Sequence, residues 1–432
     1  MKTYIFPDRK QWPEIMKRPA AESAETESVV SRILKDVKER GDSALFDYTR
    51  QFDKTQINDF KVSKEEIGSA GKLICDDLKM SINTALKNIG LFHRQQNIPG
   101  ITVETMPGVV CRQKSVPIEK VGLYVPGGSA PLISSVLMLG VPSLIAGCNR
   151  RIICTPPGPD GKIHPAILYA AAKVKISEIY KVGGAQAIAA MAYGTESVPE
   201  CYKIFGPGNR YVTVAKQLIS LDGKAMDMPA GPSELLVIAD KTSVPEFIAA
   251  DLLSQAEHGA DSHVVLVTTD RQCLENVINE SNLQIKKLMR GETAAECMKN
   301  SLALLVNDTD EAIGFANEYA PEHLMICCGE PADIAEKVIN AGSVFIGNYT
   351  PVSAGDYASG PNHTLPTNGY ARMFGGLSVD SFCRNITFQH ITEAGIAGIA
   401  PVINNLAGAE MMDAHATAVN VRLEYLRKKC KS

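Results

Sequence analysis

The chain has 432 residues, too many for one ordinary hydrophobic core, so two or more domains are expected. Hydrophobic residues make up 45% and charged residues 21%, the balance of a soluble globular protein. A net charge of −4 and a pI near 6.1 argue against a nucleic-acid surface or a membrane patch, and eleven scattered cysteines without a CxxC pair suit reduced thiols in the cytoplasm.

The first residues, Met1–Asp8, lack an apolar signal core, and no apolar run approaches the roughly 18 residues of a membrane span. Residues 1–115 read as helical. Val29, Ile33 and Val37 recur at helical spacing, and Gly41 ends that helix. Asp42 is expected to cap a second helix carrying Leu45 and Tyr48. Ile82, Leu86 and Ile89 mark a third, before Pro99-Gly100. These are read as packing or oligomer helices with little functional content.

From Glu119 short apolar strands alternate with helices. Val121–Val125 ends in Pro126-Gly127-Gly128, Arg151–Cys154 in Pro156-Pro157-Gly158, and Glu178–Val182 in Gly183-Gly184. Lys203–Phe205 ends in Gly206-Pro207-Gly208-Asn209. A second alternating set has strands at Glu234–Ala239, Val264–Thr268, Ala303–Val306, Leu324–Ile326 and Ser343–Ile346. Strands that alternate with helices and finish in glycine or proline imply parallel sheets with loops at their carboxyl ends, where nucleotides bind. The chain then turns loop-rich over Pro351–Met373, gives Leu377–Val379 and Ile386–Phe388, and ends in helices over Glu393–Leu406 and Glu410–Leu426. The fold class is α/β: two tandem, incomplete Rossmann-like parallel-sheet domains with helical N-terminal and C-terminal extensions.

The dinucleotide fingerprint GxGxxG is missing, but three glycine turns ending consecutive strands keep a nucleotide site open. Gln255 and His258 are three apart at a helix end that Gly259 is expected to stop, so they share a face. The pair suits either a divalent metal or an ordinary helix end, and two ligands do not complete a zinc site. Glu322-His323 opens a strand and offers two proton-handling groups, or a surface acid beside a partly buried imidazole. Asp356 and His363 lie in a Gly/Ser-rich loop, where Asp356 is a hard-oxygen ligand or a turn cap. Glu410 and His415 are five apart near the last helix, facing one pocket or solvent.

Several of these stretches together resemble histidinol dehydrogenase: Leu252–Gly259, Ala320–Leu324, Gly347–Pro351, Gly355–His363, Gly206–Asn209 and Ala230–Glu234. The likeness runs from about residue 25 to about residue 425. It implies a zinc-dependent homodimer of histidine biosynthesis that oxidises L-histidinol through the aldehyde to L-histidine, reducing two NAD. Position by position, Gln255, His258, Asp356 and His415 correspond to zinc ligands and Glu322 and His323 to the catalytic pair. Ser233, His363 and Glu410 correspond to substrate contacts, as do Gln255, His258, His323, Asp356 and His415. Tyr124, Gln186 and Asn209 correspond to NAD contacts. The C-terminal segment of the family crosses to the other subunit, so Glu410 and His415 would complete the partner's site. Pro361 and Met373–Gly376 depart from the family pattern without touching a matched position.

On this basis residues 1–110 form an N-terminal helical segment partly packing on the second α/β domain. Residues 115–232 form the NAD-side domain, 233–376 the metal and catalytic domain, and 377–432 an extension docking on the partner. Two imidazoles, a carboxylate and an amide oxygen suit zinc, which is expected to orient histidinol through added imidazole and amine ligands. His323 is expected to act as base in both hydride transfers, and Glu322 to activate water. Three other readings compete. A related dehydrogenase for another small alcohol would differ in the recognition by Glu410, His363 and Ser233. A non-enzymatic NAD or metal binder would show substituted site positions, and none is seen. An α/β metal-dependent hydrolase would need no nicotinamide.

Overall fold

The computed structural model describes residues 1–19, 23–96, 99–127 and 131–430. Gly128, counted above among the glycine turns, lies outside them. The chain divides into two compact units, Met1–Gln96 with Ile118–Phe382, and Asn97–Pro117 with Cys383–Ser432.

The larger unit holds two parallel sheets. The first orders Glu178–Lys181, Arg150–Thr155, Lys120–Tyr124, Lys203–Phe205 and Ala225–Met226. Numbered along the chain this is 3-2-1-4-5, and the order reverses between Lys120–Tyr124 and Lys203–Phe205. The second sheet orders Leu302–Leu305, His263–Thr268, Glu234–Ala239, His323–Cys327 and Ser343–Ile346 in the same way, reversing between Glu234–Ala239 and His323–Cys327. Lys2–Ile5 adds a parallel edge strand beside Leu302–Leu305. Both sheets are covered on both faces, which explains their unbroken apolar strands. Val121, Leu123 and Ile153 enter one core, Tyr124, Ile152 and Cys154 another. In the second sheet Leu235 and Val237 point one way, Leu236 and Ile238 the other. Side chains alternate in this way because strand periodicity is two.

The N-terminal segment is split between the sheets. Trp12 and Ile15 pack into the core beside Leu236 and Ile238. The helix Ser23–Arg40 covers the first sheet through Val30, Ile33, Leu34 and Val37, each contributing about 1.5–3 kcal/mol of apolar burial. The buried stripe therefore runs through Val30, while Val29 is only partly covered. The helix Asp76–Arg94 covers the opposite face with Ile82, Ala85 and Ile89. Asp42 opens its helix as the first residue rather than as the cap, because its carboxylate accepts from the Ser197 amide and hydroxyl.

The helical reading does not hold to residue 115. Ile101–Met106 and Val109–Pro117 form an antiparallel pair, joined at Pro107-Gly108, where Gly108 has φ +77°. Cys383–Ile391 pairs with Val109–Pro117 to make a three-stranded sheet, while Leu377–Val379 stays outside any strand. The helices Glu393–Ala409 and Asp413–Lys429 complete the smaller unit, tied by Asn404 to Asn420 at 2.8 Å and Lys429 to Glu393 at 2.7 Å. Its buried side is thin, with Ala400, Ala407 and Val419, while Val402, Leu406, Met411 and Tyr425 are exposed. Among the described residues no helix is long and apolar enough to cross a membrane.

Candidate active site

The second sheet's reversal point carries the densest group of buried polar side chains. Glu322 precedes the strand His323–Cys327, and Glu234 opens its neighbour. The register pairs His323 with Leu235, so the Glu234 peptide lies one step before that ladder begins. Its N–H donates to Glu322 Oε2 at 2.9 Å, and its carbonyl accepts from His323 Nδ1 at 3.0 Å. A carbonyl can only accept, so Nδ1 carries the proton and Nε2 turns toward the cavity. His323 Nε2 is buried without a hydrogen-bond partner and stands 3.6 Å from Asp356 Oδ1. Burial works against a charged ring here, but the Glu322 and Asp356 carboxylates outweigh it and hold the His323 pKa well above the ordinary value.

Asp356 sits on the short helix Val352–Tyr357. That helix starts where Asp251 Oδ1 accepts from the Val352 amide at 3.0 Å. Asp251 and Gln255 are one turn apart on the helix Pro245–Ala256, so one helix both seats the Asp356 helix and offers it an amide. The Gln255 side chain donates to Asp356 Oδ2 at 3.3 Å. Burial alone would raise the Asp356 pKa, yet His323, His363 and His258 lower it, so the group is a carboxylate. His258 does not share a helical face with Gln255. The helix stops at Ala256, and the His258 amide bonds back to the Gln255 carbonyl at 3.3 Å in the following turn. Gly259 keeps an ordinary φ and comes too late to be the stop.

His363 Nδ1 donates to the Asp356 carbonyl at 2.9 Å, and Nε2 lies 3.4 Å from Ser135 Oγ. Burial lowers its pKa, so the ring is neutral with Nε2 as acceptor. The neighbouring Asn362 donates to the Met138 carbonyl at 2.6 Å. Pro142 sits four residues later inside the helix Ile133–Ala146 and has no N–H, so the Met138 carbonyl is free to take that bond. Asn362 Oδ1 also accepts from the Thr364 amide at 2.9 Å. Ser135 and Asn362 were not singled out from sequence; the proline inside the helix was the available signal. His323, Asp356, Asn362 and His363 line a cavity of about 200 Å³. A larger hollow, about 580 Å³, opens at Gly127, Pro156 and His164 and is lined by none of the predicted site residues.

At the first sheet's reversal, Tyr124 Oη accepts from the Gly184 amide at 3.0 Å, and burial pushes its pKa up to about 12. Gln186 is buried in the helix Gly184–Tyr193 that this amide opens. Asn209 caps the helix Arg210–Leu221 through the Tyr211 and Val212 amides. Gly206, at φ +127°, lies so close to the Tyr124 carbonyl that a Cβ would run into it. The buried Lys216 and Asp227 clamp this turn: Lys216 Nζ bonds the Gly206 carbonyl at 2.9 Å and Asp227 at 2.5 Å, and Asp227 takes the Gly206 amide at 2.8 Å. Sequence reasoning named neither residue of the clamp. Ser233 directly precedes the strand Glu234–Ala239, its carbonyl taking the His263 amide at 3.0 Å.

The larger unit thus gathers Gln255, Glu322, His323, Asp356 and His363, with His258 in electrostatic reach. Glu410 and His415 belong to the smaller unit and are exposed. Among the described residues no group of three or more His, Cys, Asp or Glu is placed to share a metal ion. Even so, Asp356 is a half-buried carboxylate that takes a long amide bond from Gln255 and stands 3.6 Å from His323 Nε2, a buried ring nitrogen without a hydrogen-bond partner. A carboxylate, an amide and an imidazole so arranged fit part of a divalent-cation shell.

The histidinol dehydrogenase family model matches residues 16–423. Histidinol dehydrogenase of Bacteroides thetaiotaomicron is 55% identical over 99% of this chain and 100% of its own. That of Salmonella typhimurium is 46% identical over 97% and 96%. The crystal structure of histidinol dehydrogenase from Elizabethkingia anophelis superposes with TM-score 0.95 at 48% identity, covering 99% of both chains. The chain belongs to the histidinol dehydrogenase family, and so to the oxidoreductases.

Proposed function

We propose that this chain catalyses the NAD-dependent four-electron oxidation of L-histidinol through L-histidinaldehyde to L-histidine, closing histidine biosynthesis. The observation that carries the reading is the meeting of three separate stretches, Gln255, Glu322-His323 and Asp356, beside one small cavity that His323 and Asp356 line. Gln255, His258 and Asp356 would hold zinc, with His415 of a second subunit as the fourth ligand. Zinc bound there supplies positive charge that offsets Asp356 and orients substrate nitrogen, and NAD at the first sheet supplies the hydride acceptor. Tyr124, Gln186 and Asn209 would line that cofactor side, and Ser233, His363 and Glu410 would contact histidinol.

His323 Nε2 takes the alcohol proton as hydride leaves the adjacent carbon, giving the aldehyde, NADH and a proton. Glu322 takes a proton from water as its oxygen adds to the aldehyde carbon, and His323 Nε2 returns the proton it holds to the former carbonyl oxygen, giving the hydrate and freeing Nε2 again. His323 then takes a hydrate hydroxyl proton while the second hydride leaves, giving the carboxylic acid. The Nδ1–H of His323 is fixed on the Glu234 carbonyl, so Nε2 is the atom that takes each proton, and with the Asp356 charge offset one of the two carboxylates that otherwise keep that nitrogen protonated is weakened. A homodimer is supported by the exposed Val402, Leu406, Met411 and Met412 around Glu410 and His415, an apolar surface suited to a second copy. Eleven free cysteines suit the reducing cytoplasm.

The test is direct. The protein is dialysed against a chelator and mixed with histidinol and NAD, and NADH absorbance is followed before and after zinc is restored. Turnover that vanishes and returns with zinc supports the reading. A zinc-loaded protein that makes no NADH from histidinol, or a chelated one that is fully active, removes it.

A further inference from the structure

We propose that Arg18, in the N-terminal segment, is a positioning residue that sets the Glu322–His323 pair by holding Glu234. The inference rests on the acid–base roles proposed above. Both functional side chains hang on a single residue: Glu322 on the Glu234 N–H at 2.9 Å, His323 on the Glu234 carbonyl at 3.0 Å. Where the Glu234 peptide goes, the carboxylate and the imidazole tautomer follow.

That peptide is anchored through its side chain. The Glu234 carboxylate is 2% exposed and would be costly to bury unpaired. Arg18 forks both of its oxygens, Nε to Oε1 and Nη2 to Oε2 at 3.1 Å. The only other hydrogen bond found for it among the described residues is from the Asn368 amide to Oε1 at 3.0 Å. Arg18 is itself fixed, with its guanidinium 3.9 Å from the centre of the Tyr319 ring and Nη2 on the Tyr319 carbonyl at 2.9 Å. Tyr319 Oη is in turn tied to His263 Nδ1 at 2.7 Å. Arginine is needed for this because its planar fork meets two carboxylate oxygens at once and stacks on an aromatic face, which an ammonium does not. Burial raises the Glu234 pKa and the nearby Glu322 adds to this, while the Arg18 charge works the other way and favours the carboxylate. Without it Glu234 must take up a proton or leave its place, and either change reaches the peptide that orients the pair.

The test uses two variants of the full chain, with histidinol and histidinaldehyde oxidation assayed separately and melting temperature measured alongside. Arg18→Lys keeps the charge and loses the fork. Arg18→Met/Glu234→Leu removes both buried charges and so avoids stranding one of them. The expected result is a kcat about a hundredfold lower in both half-reactions, of the size that a misplacement near 1 Å produces, with KM for NAD unchanged. The loss appears in whichever variant melts like the wild type, so one folded variant suffices. Wild-type kcat in a folded variant overturns the proposal. So does a loss confined to the KM for NAD, or one that merely follows melting temperature. A wild-type protein that oxidises neither compound would instead remove the underlying acid–base reading.

Discussion

At the first sheet's reversal of strand order the notable groups follow the strands: Tyr124 ends one, and the Gly206 turn leaves the next. At the second sheet's reversal they precede the strands, with Glu322 before one and Glu234 and His323 as first residues. Two sheets of one topology thus use opposite ends. The carboxyl end offers tight turns and exposed amides, the usual setting for a nucleotide. The amino end offers a peptide not yet engaged by the neighbouring strand, free to bond side chains. The buried charges differ accordingly. Lys216 and Asp227 satisfy each other and a turn, while Glu322, His323 and Asp356 leave one ring nitrogen unmatched. Strand order is a scaffold, and what each end does depends on which residues stand there.

The largest way to break this contrast is His323→Asn. It should lower histidinol turnover about 10²–10⁴-fold with the fold and NAD binding intact, measured by NADH formation and melting temperature. Unchanged alcohol oxidation would remove His323 from its role. The mirror experiment is Lys216→Met at the first sheet, which strands Asp227 in the interior. It should cost about 3–5 kcal/mol of stability, read as a lower urea midpoint. A variant as stable as the wild type would mean that the clamp is not a structural tie.

How much of this could be read from the chain depends on how far apart partners lie. Strands such as Val121–Val125 and Glu234–Ala239 were legible because burial on both faces leaves an apolar run closed by glycine or proline. Ala225–Met226, only two residues long, and the edge strand Lys2–Ile5 carry no such run. Ile101–Met106 did alternate, and Pro107-Gly108 signalled a turn, but the helical texture upstream masked both. Gln255 and His258 were found for an incomplete reason, since the helix ends between them. Arg18 and Glu234 are 216 positions apart, and no local pattern links an arginine near the start to an acid at a strand opening. Within its own segment Arg18 looks like any surface base.

The link between Asn362 and Met138 gives a smaller effect. Asn362→Ala removes bonds to a proline-freed carbonyl and to the Thr364 amide, which should cost about 1–3 kcal/mol. Because His363 is the next residue, KM for histidinol should rise while KM for NAD holds. Equal rises in both would place Asn362 in general folding rather than at the substrate side.

The smallest effect is a pH signature at Asp251. Burial pushes its pKa from 3.8 up to about 6, against the pull of the Val352 amide bond. The native state therefore holds this proton over a range where the unfolded chain has released it. Unfolding releases the proton there, so the Asp251 contribution to stability falls as pH rises from about 4 to about 6 and is level above. Asp251→Asn keeps an oxygen for Val352 and removes the titration. Urea midpoints of both proteins at several pH values in that window give the difference, in which other groups cancel. The wild type should lose ground to the variant as pH rises, and a flat difference would mean that Asp251 titrates in the native state as it does in the unfolded chain. The second outcome would have a structural consequence, because Asp251 starts the helix that presents Asp356. Asp251 ionised through that window would set a second negative charge at the start of that helix, leaving more uncompensated charge beside Asp356 than the Lys216–Asp227 pair leaves at the first sheet.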